Sequence, residues 1–322
     1  MTEEARTTVL TPLESAPRRR VLVIVNPHAT AVSDRLRTVV LSALASRFEL
    51  EAVTTRASDH ATELARGAAS AGYELVVALG GDGTVNEVVN GLAGSATPLT
   101  PLPGGSANVF CKLLGIPGEI VDATAHLLGL ADAWRVRTLD LARANGRYYT
   151  FSAGVGIDAS VVRVVDARPE LKARFGPSFF TAAALWTVAR RYLRDAPRMR
   201  VSTEDQAFTG ITAIVQNGRH YTYFHDHPIE LATGASLDGG QLAGAVLRRG
   251  SLIDLPSLLW RGASRSRAFA GHRQVDAFTT ATGVRVEAID GRPLPLQLDG
   301  DYVGEFERVE FDLQRRALSV VC

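Results

Sequence analysis

The stretch "VVALGGDGTVNEVVNGL" (Val76–Leu92) joins an apolar run to a glycine turn and then to a helical pattern. Gly80, Gly81 and Gly83 allow positive φ angles and let a ligand approach the backbone closely. After the turn, apolar side chains recur at helical spacing, at Val85, Val88, Val89 and Leu92. The first turn of such a helix presents N–H groups that bind anions. The stretch therefore predicts a buried strand, a phosphate-binding loop and an amphipathic helix packed on a sheet.

One carboxylate, that of Asp82, lies inside this glycine loop. A carboxylate repels phosphate unless a cation lies between them, so Asp82 indicates Mg²⁺ carried on a nucleotide. The alternative is a tight turn in which Asp82 caps the following helix, and the loop alone leaves both interpretations open. It is not a Walker loop, because no lysine follows its glycines, and its spacing differs from the dinucleotide fingerprint.

A second loop, in "PLPGGSANVFCKLLGIP" (Pro101–Pro117), repeats the order of strand, glycine pair and helix. It carries Ser106 and Asn108, whose side chains suit phosphate or ribose. In a doubly wound sheet, neighbouring loops at the carboxyl ends of the strands share one crevice. Two such loops in one crevice favour a nucleotide site over two plain turns.

Strands and helices alternate around both loops. "VLVIV" (Val21–Val25) is typical of a strand that is covered on both faces, and Ser33 is placed to cap the helix that follows it. This alternation predicts an α/β domain with a mostly parallel sheet at residues 20–133. Residues 1–19 are expected to form a flexible tail.

The pattern of the sequence changes near Trp134: strand-like runs predominate after this residue. Asn145-Gly146 lies between two such runs and is typical of a hairpin turn. Residues 134–322 are therefore predicted to form a β-rich, antiparallel, sandwich-like domain.

Composition excludes several classes of protein. The chain has 322 residues, 46% of them hydrophobic, and a net charge of +1; no global field favours nucleic acid, so no nucleic-acid partner is expected. Cys111 and Cys322 have neither disulfide nor metal spacing. The N-terminus has no apolar signal region, and the most apolar window, Phe175–Ala189, is shorter than the roughly 20 residues of a bilayer span. A cytoplasmic protein is expected.

At this point the motifs support a family resemblance. "GGDGTVNEVVNGL" together with "PGGSANVF" resembles the bacterial diacylglycerol kinase family, which shares its catalytic domain with sphingosine and ceramide kinases. NAD kinases and phosphofructokinases have related loops, but the continuation through Asn86-Glu87 and Asn90-Gly91 is similar to the lipid kinases. Further similar pieces are "VNPHAT" (Val25–Thr30), "FSAGVGIDASVV" (Phe151–Val162), "VQNGRHYTYF" (Val215–Phe224) and "QLDGDYVG" (Gln297–Gly304). The resemblance implies an ATP-binding α/β domain, a β-rich lipid domain and an active site between them.

The resemblance also implies roles for individual residues. Asp82 would govern the Mg²⁺ of ATP, and Asp301 in "LDGD" occupies the position of the family's proposed general base. Without the resemblance, "LDGD" is typical of a plain β-turn. The implied nucleotide-binding residues are Asn26, Pro27, Gly80, Gly81, Asp82, Gly83, Thr84, Glu87, Ser106 and Asn108.

Departures from the family pattern concern both loops and a metal site. Asp301 replaces the usual Glu and is one methylene shorter. Thr30 replaces a glycine, and Ser106 and Val109 replace the more common Thr and Asp. The family's acidic stretch for a structural Mg²⁺ corresponds here to "LDGGQLA", where glycine and alanine stand at two acidic positions (Gly239 and Ala243). The remaining carboxylate, Asp238, is a weak ligand, which argues against a structural metal.

Two segments combine aromatic and basic residues and predict contact with an anionic membrane surface. One contains Phe179, Phe180 and Trp186, and the other contains Trp260; the alternative for each is a helix packed in the core. "HDH" (His225–His227) favours a polar loop over a zinc site, because adjacent side chains do not easily converge on one metal.

The sequence thus predicts an ATP- and Mg²⁺-dependent lipid kinase that phosphorylates diacylglycerol, associated peripherally with the inner face of the membrane. A sphingoid base or another lipid alcohol is the alternative substrate. An NAD kinase and a catalytically silent nucleotide- or lipid-binding module are the alternative classes. A homodimer is left open.

Overall fold

The computed structural model describes residues 18–29, 31–168, 196–224, 227–250, 253–263 and 269–322. The strands of the first half are β1 (Arg20–Val25), β2 (Glu49–Thr54), β3 (Leu75–Gly80) and β4 (Leu99–Pro103). Its helices are α1 (Asp34–Ala45), α2 (His60–Ser70), α3 (Asp82–Leu92), α4 (Val109–Leu114) and α5 (Ile120–Leu130). Strand and helix alternate as far as α4, as the sequence predicts, and α5 then follows α4 directly.

These four strands are parallel and lie in the order β2-β1-β3-β4. β3 is buried at every position, since layers of protein cover both of its faces. The predicted cap of α1 is confirmed: Ser33 Oγ accepts a hydrogen bond from Leu36 N–H at 3.3 Å. The order makes β1, β3 and β4 neighbours, so the loops at their carboxyl ends lie side by side.

Among its described residues, the second half contains the remaining strands and two helices. The strands are β5 (Val136–Ala144), β6 (Arg147–Tyr149), β7 (Ser152–Gly156), β8 (Met199–Ser202), β9 (Ala207–Gly210), β10 (Thr212–Gln216), β11 (Thr222–Phe224), β12 (His227–Ile229), β13 (Leu242–Leu247), β14 (Val275–Thr280), β15 (Val284–Ala288), β16 (Leu294–Leu298), β17 (Asp301–Phe306) and β18 (Arg308–Val321). The helices are α6 (Ile157–Asp166) and α7 (Leu255–Ala263), followed by a 3₁₀ turn at Phe269–Gly271.

In the part of the chain that the structure describes, six of these strands form an antiparallel sheet in the order β14-β13-β10-β7-β16-β17. Two hairpins of the second half are tight, with positive φ at both central residues, the type I′ geometry; one lies in this sheet and the other, between β5 and β6, extends the sheet of the first half. Asn145 and Gly146 have φ angles of 48° and 87° between β5 and β6, and Asp299 and Gly300 have φ angles of 51° and 88° between β16 and β17. The hairpin predicted at Asn145-Gly146 is confirmed.

The last strand connects the two halves. β18 is antiparallel to β5 and β15, and it reaches the parallel sheet through Val320, which pairs with Leu99 of β4. Side chains of the two sheets then share a core, with Val155, Val286 and Val309 among its fully buried members. An α/β domain with a mostly parallel sheet and a β-rich, antiparallel, sandwich-like domain are therefore confirmed, although one sheet runs through both. The boundary at residues 133 and 134 stays a prediction.

Some predictions concern residues outside the described ranges, namely residues 1–17 of the tail, Thr30, Phe179, Phe180, Trp186, His225 and Asp226. Within those ranges, no helix combines the length and the apolar character needed to cross a membrane.

Candidate active site

Three loops meet at the carboxyl ends of β1, β3 and β4. The first begins at Asn26, whose backbone N–H donates to Leu79 O at 3.0 Å. The side chain of Asn26 donates from Nδ2 to Thr84 Oγ1 at 2.9 Å. Its Oδ1 accepts from His28 N–H, also at 2.9 Å, which closes a turn around Pro27. The first loop is thus bonded directly to the glycine loop.

The two glycine loops pack backbone against backbone. A Cβ atom at Gly104 would lie 2.9 Å from Gly80 Cα, and a Cβ atom at Gly105 would lie 2.7 Å from Gly81 Cα. Neither contact leaves room for a side chain, because non-bonded carbon atoms sit about 3.5–4.0 Å apart. The glycines that the sequence singles out as phosphate-binding are therefore also what lets the two loops form one surface.

Asp82 begins α3, but its carboxylate reaches a different helix. Its Oδ2 accepts from Val109 N–H and its Oδ1 from Phe110 N–H, both at 3.1 Å. The carboxylate therefore caps α4 and joins the glycine loop after β4 to the glycine loop after β3. Burial raises the pKa of Asp82 to about 6, the two backbone N–H groups lower it, and the negative charges of Asp299 and Asp301 raise it.

Asp301 comes from the other half of the chain and lies against the glycine loop. A Cβ atom at Gly83 would be 2.6 Å from Asp301 Oδ2. Asp301 is also exposed, so it is accessible to a molecule that binds beside the loop. The structure therefore brings Asp82, Gly83 and Asp301 together.

Asp299, two residues earlier, is a site residue that the sequence did not single out. It is 4% exposed. Its Oδ2 accepts from Asn86 Nδ2 at 2.9 Å, and from Thr150 N–H and Oγ1 at 2.7 and 2.9 Å. Its Oδ1 accepts from Phe151 N–H and Ser152 N–H at 2.9 and 3.2 Å. The Asp299 side chain thus fastens the β16–β17 turn to α3. The Asp-Gly pair signals a turn, but no local pattern indicates this burial.

The remaining predicted residues have different surroundings. Ser106 is exposed on the second loop. The Asn108 side chain closes its own loop, since Oδ1 accepts from Gly105 N–H at 2.9 Å and Nδ2 donates to Gly105 O at 2.8 Å. Glu87 Oε2 accepts from Ala61 N–H at 3.1 Å. The carboxylate of Glu87 therefore bonds to the start of α2 and ties α3 to α2, and a role for Glu87 in nucleotide binding stays a prediction.

The structural Mg²⁺ that the resemblance implies for bacterial members does not fit the residues present. Asp238 Oδ2 accepts from Arg137 Nη2 at 3.2 Å. Gly240 donates its N–H to Asp140 Oδ2 at 2.8 Å, and its carbonyl accepts from Arg315 Nη2 at 3.1 Å. Guanidinium groups therefore supply the positive charge at this loop. Within the described ranges, no three His, Cys, Asp or Glu side chains are grouped to hold a metal ion.

Comparison with known proteins agrees with this architecture. Residues 20–142 match the family model of the diacylglycerol kinase catalytic domain. A diacylglycerol kinase of Staphylococcus carnosus (strain TM300) is 25% identical over 294 residues, which cover 89% of this chain and 90% of that protein. A diacylglycerol kinase of Bacillus subtilis (strain 168) is 38% identical over 113 residues, which cover 34% of this chain and 36% of that protein.

A crystal structure of a diacylglycerol kinase from Bacillus anthracis (strain Sterne) superposes with a TM-score of 0.67 at 21% identity, covering 95% of this chain and 98% of the other. At that identity the likeness shows a shared fold. The matched catalytic domain and the relatives aligned over most of their length make the chain similar to the bacterial diacylglycerol kinases and support a lipid kinase.

Proposed function

We propose that this protein phosphorylates diacylglycerol to phosphatidic acid with ATP and Mg²⁺. The observation that carries the proposal is the placement of Asp301 against Gly83. A carboxylate able to accept a hydroxyl proton then lies beside a glycine loop of the kind that holds phosphates. The relatives are named diacylglycerol kinases, which supports the choice of lipid.

In this proposal the three loops hold ATP, and the first turn of α3 faces its phosphates. Asn26 and Thr84, already bonded to each other, set the edge of the nucleotide site. Asp301 accepts the proton of the lipid hydroxyl as that oxygen bonds to the γ-phosphorus and ADP leaves. Phosphoryl transfer needs little more from the protein than this positioning and charge stabilisation.

The residues present also fit Mg²⁺ carried on the nucleotide. Carboxylate oxygens are the ligands that Mg²⁺ prefers. The charges of Asp299 and Asp301 raise the pKa of Asp82, so a cation would offset a repulsion that the folded chain contains. Asp82 would hold this ion, which would neutralise charge on the transferred phosphoryl group.

The test is a phosphorylation assay with labelled ATP and Mg²⁺ in mixed micelles. The lipid panel contains diacylglycerol, a sphingoid base and ceramide, and NAD is offered in a separate reaction. Labelled phosphatidic acid is the expected product. Label in a sphingoid base or ceramide would change the substrate, and label in NAD would make the protein an NAD kinase. ATP binding without any labelled product would indicate a silent nucleotide-binding module.

We further propose that the protein is cytoplasmic and works peripherally at the inner face of the membrane. Trp260 on α7 is 53% exposed, and Ile253 just before α7 is 86% exposed. Arg273 pairs with Asp254 at 2.6 Å beside Ile253, and together with Arg249 it lines an open pocket. Exposed apolar side chains beside arginines suit an anionic lipid surface.

Vesicle co-sedimentation tests this attachment. We expect more protein to be recovered with anionic vesicles than with neutral ones, and less of it as salt is raised, because salt screens the attraction to arginine. Trp260→Ala should lower the recovery on anionic vesicles. Equal recovery with both kinds of vesicle at low salt would contradict the proposal.

A further inference from the structure

Behind the turn that presents Asp301, a chain of hydrogen bonds connects three separate segments. Tyr221 OH, just before β11, donates to Asp158 Oδ1 at the start of α6. Asp158 Oδ2 accepts from Gln297 Nε2 at 2.7 Å. Gln297 Oε1 in turn accepts from the backbone N–H of Gly300 at 2.8 Å. The chain of bonds therefore ends at the residue that precedes Asp301.

The surrounding sheet is shaped for this contact. A Cβ atom at residue 154 would lie 1.7 Å from Asp158 Oδ2, so the glycine there makes room for the carboxylate. Gln297 is 1% exposed and pairs with Gly154 in the sheet. Burial raises the pKa of Asp158, while the hydrogen bonds from Tyr221 and Gln297 lower it and favour the ionised form.

The chemistry of these groups allows one orientation of the Gln297 amide. An ionised carboxylate only accepts hydrogen bonds, whereas an amide has one accepting and one donating end. If the amide were reversed, its oxygen would face the Asp158 carboxylate and its nitrogen would face the N–H of Gly300. The Asp158 carboxylate and the Gly300 N–H therefore select the same orientation, in which Gln297 holds Gly300.

The turn that Gln297 holds is followed directly by Asp301, whose carboxylate is exposed. Its two central residues, Asp299 and Gly300, both have positive φ. Asp299 is bonded on one side to α3 and to the β6–β7 connection, and Gly300 is bonded on the other side to Gln297. These two anchors hold the turn from which Asp301 begins β17.

We propose that Asp158 is a positioning residue for Asp301: by orienting Gln297 it fixes the turn that places Asp301 against Gly83. The inference rests on the proposed function for the catalytic role of Asp301. The positional link between Asp158 and the turn does not depend on that function.

The test exchanges the two partners. Asp158→Asn alone offers Gln297 a donor as well as an acceptor, so only one of the two Asn orientations keeps the bond from Gln297 Nε2, and that bond no longer has a charged acceptor. In the double variant Asp158→Asn with Gln297→Glu, the new amide donates to the new carboxylate, whose other oxygen accepts from Gly300 N–H. The double variant therefore restores the same bonds with donor and acceptor reversed. Tyr221→Phe removes one donor to Asp158 and serves as a milder variant should Asp158→Asn fold poorly.

Two readouts are compared. Hydrogen exchange of the peptide that spans the β16–β17 turn should be faster in Asp158→Asn and close to wild type in the double variant. Turnover should fall about 10- to 100-fold in Asp158→Asn with the KM for ATP unchanged, since a small displacement of a reacting group is costly. The double variant should regain most of it. Asp312→Asn on β18, which removes an ion pair with Arg143 of β5, is the control and should change neither readout.

The outcomes separate this inference from the proposed function. Unchanged exchange at the turn in Asp158→Asn would overturn the inference, whatever the activity. Faster exchange with normal turnover would also overturn it, because the turn would not position the reacting group. A higher KM for lipid with normal turnover would make Asp158 a substrate contact. If the wild type phosphorylates no lipid, the proposed function fails, and the exchange comparison still decides whether Asp158 holds the turn.

Discussion

Asp82 and Asp301 are two carboxylates beside the same glycine loop, and the protein holds them in different ways. Both oxygens of Asp82 accept backbone N–H groups of α4, and burial raises its pKa to about 6. Asp301 is exposed at the end of a hairpin turn and is placed by its neighbours. Asp82 is therefore part of the loop architecture, so its chemistry and the stability of the loops are coupled. Asp301 can be changed with much less effect on the fold.

The largest effect is expected for Asp301→Asn, which keeps the size of the side chain and removes its basicity. Turnover should fall by about 10² to 10⁴, the usual contribution of a general base. The ATP dissociation constant and the free energy of unfolding should change little, because Asp301 is exposed. Steady-state kinetics, ATP titration and urea unfolding measure the three quantities.

Asp301→Glu is the matched control for that variant, since it restores a carboxylate of the family's usual length and should keep much of the activity. Loss of ATP affinity together with activity in Asp301→Asn would instead make Asp301 a nucleotide or metal ligand. Full activity would place the base elsewhere.

Asp82→Asn, unlike Asp301→Asn, should lower the stability of the folded protein as well as its activity. Its amide has one accepting oxygen for two backbone donors, so one N–H of α4 loses its partner. A hydrogen bond to a charged group contributes about 1.5 to 3 kcal/mol, and the free energy of unfolding at pH 7 should drop by about that amount. ATP affinity in Mg²⁺ should fall too. If urea unfolding gave the same free energy of unfolding for Asp82→Asn as for wild type, Asp82 would not hold the loops together.

Gly83→Ala should change the position of Asp301 and leave Asp82 in place. The added Cβ would meet Asp301 Oδ2 at 2.6 Å and displace that carboxylate without touching the bonds of Asp82. Turnover should drop about 10-fold, while the urea midpoint stays within error. Gly67→Ala, where a Cβ meets no atom within 4 Å, is the control. A lower urea midpoint with normal turnover would contradict the separation of the two roles.

The smallest expected effect is on the pH dependence of stability. The pKa of Asp82 is raised in the folded state from 3.8 to about 6, so between these values the folded protein binds the proton more tightly than the unfolded chain. This tighter proton binding adds to the free energy of unfolding at low pH, and the added part is lost as pH rises toward 6. The stability difference between wild type and Asp82→Asn should therefore shrink by about 1 kcal/mol from pH 5 to pH 7.

Urea unfolding in EDTA at both pH values measures this difference, with Gly67→Ala as a control that adds no titratable group. A difference that grew with pH would mean that the folded protein favours the ionised form of Asp82.

The sheet and the loops were predictable because their signals are local. Three apolar strands end in loops, and parallel neighbours place those ends at one edge, so Gly81 and Gly105 could be expected to meet. Hairpin chemistry at Asn145-Gly146 is equally local. The partner of Glu87 was not predictable in this way. Its carboxylate bonds to α2, and the direction of a helical side chain depends on which helix packs beside it.

The positions of the turns, the segments that form strands and helices, and the family that the motifs resemble were all predictable from the amino-acid sequence. Glycine φ preferences, helical periodicity and hairpin residues act between neighbours in the chain, so they can be read from it. Only the tertiary structure decided that the Asp82 carboxylate caps α4, that Asp299 is buried under five donors, and that Asp158 reaches Gly300 through Gln297. The partners of a buried carboxylate are the segments that the fold places beside it, and those segments lie far apart in the sequence.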